Sequence, residues 1–88
     1  MTVYIPGPLR TYTRNRGEVD AAGGTVEELL RDLDARFPGM RFRMIDEQDR
    51  IRQHIRIYIN QEEARTVEAT VRAGDTIQII CAISGGGA

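Results

Sequence analysis

The chain ends in a run of small residues whose spacing suits one kind of chemistry, Ile83-Ser84-Gly85-Gly86-Gly87-Ala88. Glycine has no side chain and leaves the backbone free, so such a tail can leave its own domain and enter a narrow active site on another protein. The reactive group that it would deliver there is a carboxylate at its end. The ordinary alternative is a frayed terminus, and the tail alone leaves both interpretations open.

The other residue types that carry catalysis do not form a set. The one cysteine, Cys81, ends an isoleucine-rich strand and is predicted to be a small core residue, and the one histidine, His54, has no partner at metal-ligand spacing. The acidic cluster Asp46, Glu47 and Asp49 lacks the glycine and closing glutamate of a calcium loop. No metal site is predicted, and the absence of lysine excludes a P-loop.

Composition favours one small soluble domain. A chain of 88 residues buries only about 60% of its unfolded surface, which leaves little room for an internal catalytic cavity. The net charge of −1 gives no electrostatic basis for binding nucleic acid or an anionic membrane. No apolar run approaches membrane length and the first residues do not resemble a signal peptide, so a cytoplasmic location is expected.

All 12 basic residues are arginine. A GC-rich genome would produce this bias. A chain whose carboxylate becomes an activated acyl group would also benefit from having no amine side chains. The sequence does not separate these two explanations.

One helix is clearly predicted. It starts at Thr25 with a capping box in which the Thr25 hydroxyl and the Glu28 carboxylate each accept from a free amide, and it ends at Pro38-Gly39. Apolar residues recur at helical spacing and form one face: Val26, Leu29, Leu30, Leu33 and Phe37.

Five segments are predicted as strands from short β-rich or alternating patterns. They are residues 2–5, 18–22, 55–59, 65–71 and 76–81, with turns at residues 60–63 and 73–75. Residues 40–53 are charged and irregular, and Phe42, Met44, Ile45 and Ile51 are expected to anchor them to the core.

This order of elements predicts an α+β fold, the β-grasp or ubiquitin-like arrangement, in which one main helix lies across a mixed sheet of four to five strands. Residues 1–82 would form the domain and residues 83–88 a flexible, glycine-rich tail.

Three segments and the tail resemble the sulfur-carrier proteins typified by ThiS and MoaD. Residues 58–65, Tyr-Ile-Asn-Gln-Glu-Glu-Ala-Arg, are similar to the strand and turn of that family. Residues 73–80 are similar to the run that leads into its "AVAGG" ending, here residues 82–86, and Phe37-Pro38-Gly39 is similar to its helix stop. The resemblance spans nearly the whole chain.

The ending departs from the family pattern, in which the diglycine is terminal. Alignment on Gly85-Gly86 leaves Gly87-Ala88 as an extra dipeptide, and some relatives with such an extension need a metal-dependent (JAMM-type) peptidase to expose the glycine. The acceptor is then Gly86. The alternatives are Gly87 as acceptor, with removal of Ala88 alone, and an artificial origin of the last residues.

The resemblance implies a protein cosubstrate and not an enzyme. An E1-like adenylyltransferase of the MoeB/ThiF type would join the glycine carboxylate to AMP from ATP, and sulfur would displace AMP to leave a thiocarboxylate. A sulfur-accepting synthase would take the sulfur for cysteine, thiamin or another metabolite. The chain itself would bind no cofactor, and ATP would belong to the partner.

Partner binding is predicted on the sheet face that points away from the helix. If Ile77 and Ile79 face the helix, Ile80 faces outward, as does Tyr58 on its strand. Ile83 in the tail is a further candidate contact. Arg65 and Arg72 are candidates to flank this surface and pair with acidic partner residues, although solvated surface charge is the more common role of such residues.

Two competing functions stay open. The small subunit of molybdopterin synthase would form a lasting complex with a larger catalytic subunit. A β-grasp binding module that is never activated would carry the glycines as a linker remnant. A small enzyme is disfavoured, because one histidine and one cysteine supply no catalytic constellation.

Overall fold

A single mixed sheet and one long helix organise residues 1–82, the part of the chain that the computed structural model describes. The elements in chain order are β1 (Thr2–Tyr4), a 3-10 turn (Gly7–Leu9), β2 (Glu18–Asp20), α1 (Val26–Arg36), α2 (Met40–Met44), β3 (Ile55–Ile59), β4 (Glu62–Ala64) and β5 (Thr76–Cys81). The strand order is β2-β1-β5-β3-β4, with β1 and β5 parallel and the other pairs antiparallel. This topology confirms the predicted β-grasp fold. The tail at residues 83–88 lies outside the described residues, so the predicted domain boundary stays a prediction.

The core lies between α1 and one face of the sheet. The apolar face of α1 is fully buried through Val26, Leu29, Leu30 and Leu33, as its spacing predicted. The sheet contributes every second residue of its strands, because side chains alternate between the two faces. These inward residues are Val3, Val19, Ile55, Ile57, Ile77 and Ile79.

The predicted cap of α1 forms, with one difference. The Glu28 N–H donates to the Thr25 hydroxyl oxygen at 3.2 Å, but the Glu28 carboxylate accepts from the Gly24 N–H at 2.7 Å, one residue before the cap. Gly23 makes this close approach possible. It has φ +154°, and a Cβ there would lie 2.7 Å from the Leu29 backbone nitrogen.

Residues 40–53 are more ordered than predicted, because Met40–Met44 form the short helix α2. Met40 and Met44 are one helical turn apart and both are fully buried, so the residue between them faces away from the core. Phe42 is that residue. Its predicted core role is wrong, since it is 58% exposed, and the Arg52 guanidinium lies 4.6 Å from its ring centroid.

The predicted strand at residues 65–71 is also wrong, because the strand is β4 at Glu62–Ala64. Ile59 pairs with Glu62, so only Asn60 and Gln61 form the turn, and Asn60 takes the left-handed conformation (φ 59°) that such tight turns need. Val67 and Val71 are buried, but their backbones bond to the start of α1: Glu27 N–H donates to Val67 O and Val71 N–H to Gly24 O.

Among residues 1–82, neither helix has the length and apolar character needed to cross a membrane.

Candidate functional site

The site is organised by β5, the strand that leads toward the glycine run. Ile77 is fully buried against α1, whereas Ile80 is 37% exposed on the opposite face, which confirms the predicted alternation. Beyond the strand, the Ala82 N–H donates to the His54 carbonyl at 2.7 Å and keeps the chain beside β3. The predicted tail, acceptor and processing residues lie outside the described residues, as does Ile83.

A row of outward side chains crosses the sheet beside Ile80. Tyr4 of β1 and Tyr58 of β3 both stand opposite Gln78 of β5 in the strand register, and adjacent strands are about 4.8 Å apart. Tyr4 is 42% exposed, while Tyr58 is half-buried. These residues with Ile80 form an amphipathic surface, here called the outer patch: Tyr4, Tyr58, Gln78 and Ile80.

Tyr4 was not singled out from the sequence. The alternation of Thr2-Val3-Tyr4 around the buried Val3 would have placed it on the outer face. Its position beside Tyr58 depends on the order β1-β5-β3, which the local pattern does not contain.

The two candidate arginines lie at opposite ends of the sheet. Ala64 of β4 pairs with Ile57 of the antiparallel strand β3. The next residue, Arg65, therefore lies at the level of Arg56, and Arg56 stands opposite Ile80 of β5. Arg72 lies instead near the start of β5, where its backbone N–H donates to the Asp75 carboxylate at 2.9 Å. Of the two, only Arg65 lies at the end of the sheet that leads to the tail.

Cys81 and His54 lie close to the exit of β5. Cys81 is half-buried against the core, and burial raises the pKa of its thiol. The thiol is therefore protonated near neutral pH and is a weak nucleophile. His54 is exposed, and within residues 1–82 no three histidine, cysteine or acidic side chains are grouped as a metal site.

The fold and site define a ubiquitin-like carrier, a β-grasp domain whose last strand leads to a glycine run. The family model of ThiS matches residues 3–86, so the chain belongs to the ThiS family of sulfur carriers. It is 31% identical over 91 residues to the sulfur carrier protein CysO of Mycobacterium tuberculosis, and the match covers 98% of each chain.

Solved structures agree with this placement. A chain in the crystal structure of the Amycolatopsis orientalis BexX/CysO complex is 38% identical, with a TM-score of 0.89, over 93% of this chain and 94% of that one. The small archaeal modifier protein SAMP1 of Haloferax volcanii is 26% identical, with a TM-score of 0.76, over 98% of both chains. The chain is thus similar to CysO proteins over almost its entire length.

Proposed function

We propose that this protein carries sulfur as a C-terminal thiocarboxylate for cysteine biosynthesis or a specialised metabolic pathway. The observation that carries the proposal is the family match, which extends into the glycine run as far as residue 86. The similarity to CysO sulfur carriers supports the same role. Gly86 is then the acceptor, and cleavage after it exposes the carboxylate that is activated.

The chemistry requires a partner enzyme. A carboxylate is a poor electrophile, because its charge is delocalised and oxide is a poor leaving group. When a carboxylate oxygen attacks the α-phosphorus of ATP, pyrophosphate leaves and an acyl-adenylate forms. Sulfide then displaces AMP and leaves the thiocarboxylate directly, whereas a persulfide displaces AMP to give an acyl disulfide, from which a second thiol must release the thiocarboxylate. Glycine suits this step, since its unbranched carbon leaves the acyl group open to attack.

The partners follow from these steps: a peptidase that cuts after Gly86, an E1-like adenylyltransferase and a sulfur-accepting synthase. The chain itself supplies the carboxylate and the surface that these partners bind. The similarity to a chain in the BexX/CysO complex supports recognition by an enzyme.

The test is the intact mass of the protein from its native host under non-reducing conditions. We expect loss of Gly87-Ala88 and a fraction in which one oxygen is exchanged for sulfur. Loss of Ala88 alone would move the acceptor to Gly87. A full-length, unmodified mass while the pathway is active would contradict the proposal and favour a binding module that is never activated.

We further propose that the outer patch is the surface that the adenylyltransferase binds. Apolar and aromatic side chains at the centre of an interface commonly contribute most of its binding energy. Ile80 on β5 and Tyr58 on the neighbouring β3 supply this character, Tyr4 extends it, and Arg65 flanks it. Ile83, in the same stretch of sequence, would continue it.

Ile80→Gln tests this surface. We expect the affinity for the adenylyltransferase to fall about tenfold, which corresponds to ~1.4 kcal/mol, because a buried apolar contact is replaced by an amide. Thr76→Gln is the matched control, since Thr76 is exposed on the same face at the other end of β5. Equal affinities for the two variants, measured by calorimetry, would place the interface elsewhere.

A further inference from the structure

A basic loop at the edge of the sheet has no part in the function proposed above. Residues 10–16, Arg-Thr-Tyr-Thr-Arg-Asn-Arg, carry three arginines and no acidic residue in a chain whose net charge is −1. The loop connects β1 to β2. Within residues 1–82, Arg31, Arg36, Arg50 and Arg56 each have one carboxylate partner within 4.0 Å and Arg41 has two, whereas the other seven arginines, among them Arg14 and Arg16, have none.

The loop is held in one conformation. Thr13 is fully buried although it is polar, and its hydroxyl donates to the Arg16 carbonyl at 2.7 Å. The Arg10 Nε donates to the Ile5 carbonyl at 3.0 Å. Arg14 and Asn15 both take left-handed backbone conformations, with φ of 56° and 66°. Non-glycine residues adopt this conformation at an energetic cost, and such strain is found disproportionately at binding sites.

This conformation places the two arginines against the end of α1. Arg14, Arg16, Arg36 and Phe37 line one open cleft of about 300 Å³. The Arg36 guanidinium lies 5.6 Å from the Phe37 ring centroid and is already paired with Asp32 at 3.2 Å. The carboxylate of nearby Asp20 pairs with the N-terminal amine at 3.2 Å. The cleft therefore presents two guanidinium groups that the described carboxylates do not neutralise.

We propose that this cleft binds an acidic segment of a partner protein, with carboxylates pairing to Arg14 and Arg16 and an apolar side chain covering Phe37. Guanidinium groups match carboxylates in a bidentate geometry. The cleft is open and its arginines are exposed, which suits spaced side chains of a polypeptide better than a single enclosed phosphate.

The position of the cleft indicates that the acidic segment belongs to the partner that holds the tail. Tyr4 pairs with both Glu18 and Gln78, and the Ile5 N–H donates to the Gly17 carbonyl. The basic loop thus lies at the same end of the sheet as Ile80 and the exit of β5. A partner that holds the tail and extends past β1 to the edge strand β2 would contact the cleft as well. This identification of the partner rests on the proposed function, whereas the binding of an acidic segment does not.

The test uses the full-length protein and a blocked hexaglutamate peptide as the probe, followed by amide and arginine Nε–Hε signals in NMR titration. We expect shifts confined to residues 10–17 and 36–37, and an affinity that weakens as salt is raised. Arg14→Gln with Arg16→Gln should weaken binding at least about tenfold, since each lost pair removes a charge-assisted contact. The matched control, Arg52→Gln with Arg72→Gln, removes the same charge from two arginines that also have no carboxylate partner within residues 1–82 and should leave binding unchanged.

Three outcomes would overturn the proposal. Equal loss in both double variants would show a response to net charge alone. Identical shifts with inorganic phosphate at the same concentration would make the cleft a small-anion site. Stronger binding of a single-stranded oligonucleotide would assign it to nucleic acid. If the peptide binds as expected but intact mass shows no thiocarboxylate, the proposed function is wrong, and the proposal that the cleft binds an acidic segment is retained.

Discussion

Glu27 is the acidic residue at the centre of a charged network that joins α1 to residues 41–49. Its carboxylate accepts from Arg41 at 2.8 and 2.9 Å and also from Arg31, and Arg41 reaches Asp49 at 3.1 Å. Burial alone would raise the pKa of Glu27, but the hydrogen bonds from Arg41 and Arg31 outweigh it and lower that pKa. The ionised form therefore stabilises the contact between α1 and residues 41–49.

Glu27→Gln should lower the free energy of unfolding at pH 7 by about 1–2 kcal/mol, because Arg41 loses one of its two charged partners and Arg31 loses its partner. The pKa is lower in the folded than in the unfolded chain. The stabilisation is thus complete above the unfolded value, about 4.3, and is lost as the pH falls through the folded value. Urea unfolding at pH 7 and pH 3 should show the variant and the parent converging in acid.

The more exposed pair of Arg56 and Glu63, 3.6 Å apart, provides the comparison. Glu63→Gln should change the unfolding free energy by less than about 1 kcal/mol, as is usual for surface ion pairs. A larger loss of unfolding free energy for Glu63→Gln than for Glu27→Gln would contradict the expectation that the Glu27 ion pairs contribute more to stability.

Arg14 offers a second test at this scale. Its left-handed backbone (φ 56°) suits glycine better than arginine, so Arg14→Gly should stabilise the fold by about 0.5 kcal/mol. Arg16→Gly removes the same charge at a position without positive φ and should destabilise it by about 0.5–1 kcal/mol. Thermal unfolding of both variants measures the difference, and lower stability of Arg14→Gly would show that the loop is not strained there.

At the scale of elements, the entry into α1 depends on the backbone of Gly23. Gly23→Ala should destabilise the protein by about 1–3 kcal/mol, because the new Cβ meets the Leu29 nitrogen at 2.7 Å and no side-chain rotation relieves it. Gly7→Ala is the control, since a Cβ at Gly7 meets nothing within 4 Å. Chemical denaturation measures the stability of both variants. Equal stability would mean that the backbone at the start of α1 moves to accommodate the new Cβ at residue 23 without cost.

The elements also differ in how far their sequences define them. α1, β3 and β5 were predicted with nearly correct bounds, since each carries an apolar face at its own period. α2 has five residues and β4 three, too few for a periodic pattern. α2 exists because Met40 and Met44 are buried against α1, and β4 because Asn60 reverses the chain beside β3.

At the scale of the whole molecule, the residues that form the described core and the residues proposed to carry sulfur occupy different parts of the sequence. Within residues 1–82, every buried hydrophobic residue of the core lies between Val3 and Ile79. Deletion of residues 83–88 should therefore change the unfolding free energy by less than about 0.5 kcal/mol while abolishing sulfur loading. Urea unfolding measures the first effect, and intact mass after reaction with the peptidase, the adenylyltransferase, ATP and sulfide measures the second. Sulfur loading of the truncated protein would refute the assignment of the acceptor to the tail.

The sequence by itself determined the fold class, the main helix and the outward position of Ile80, because hydrophobic periodicity and capping act over a few residues. It also indicated the family through Tyr58–Arg65 and the glycine run. Only the tertiary structure decided that Tyr4 lies across β5 from Tyr58, that Arg65 and Arg72 lie at opposite ends of the sheet, and that Arg14 and Arg16 meet the end of α1. These placements depend on strand order and on the path of a loop, which long-range packing determines and no local pattern encodes.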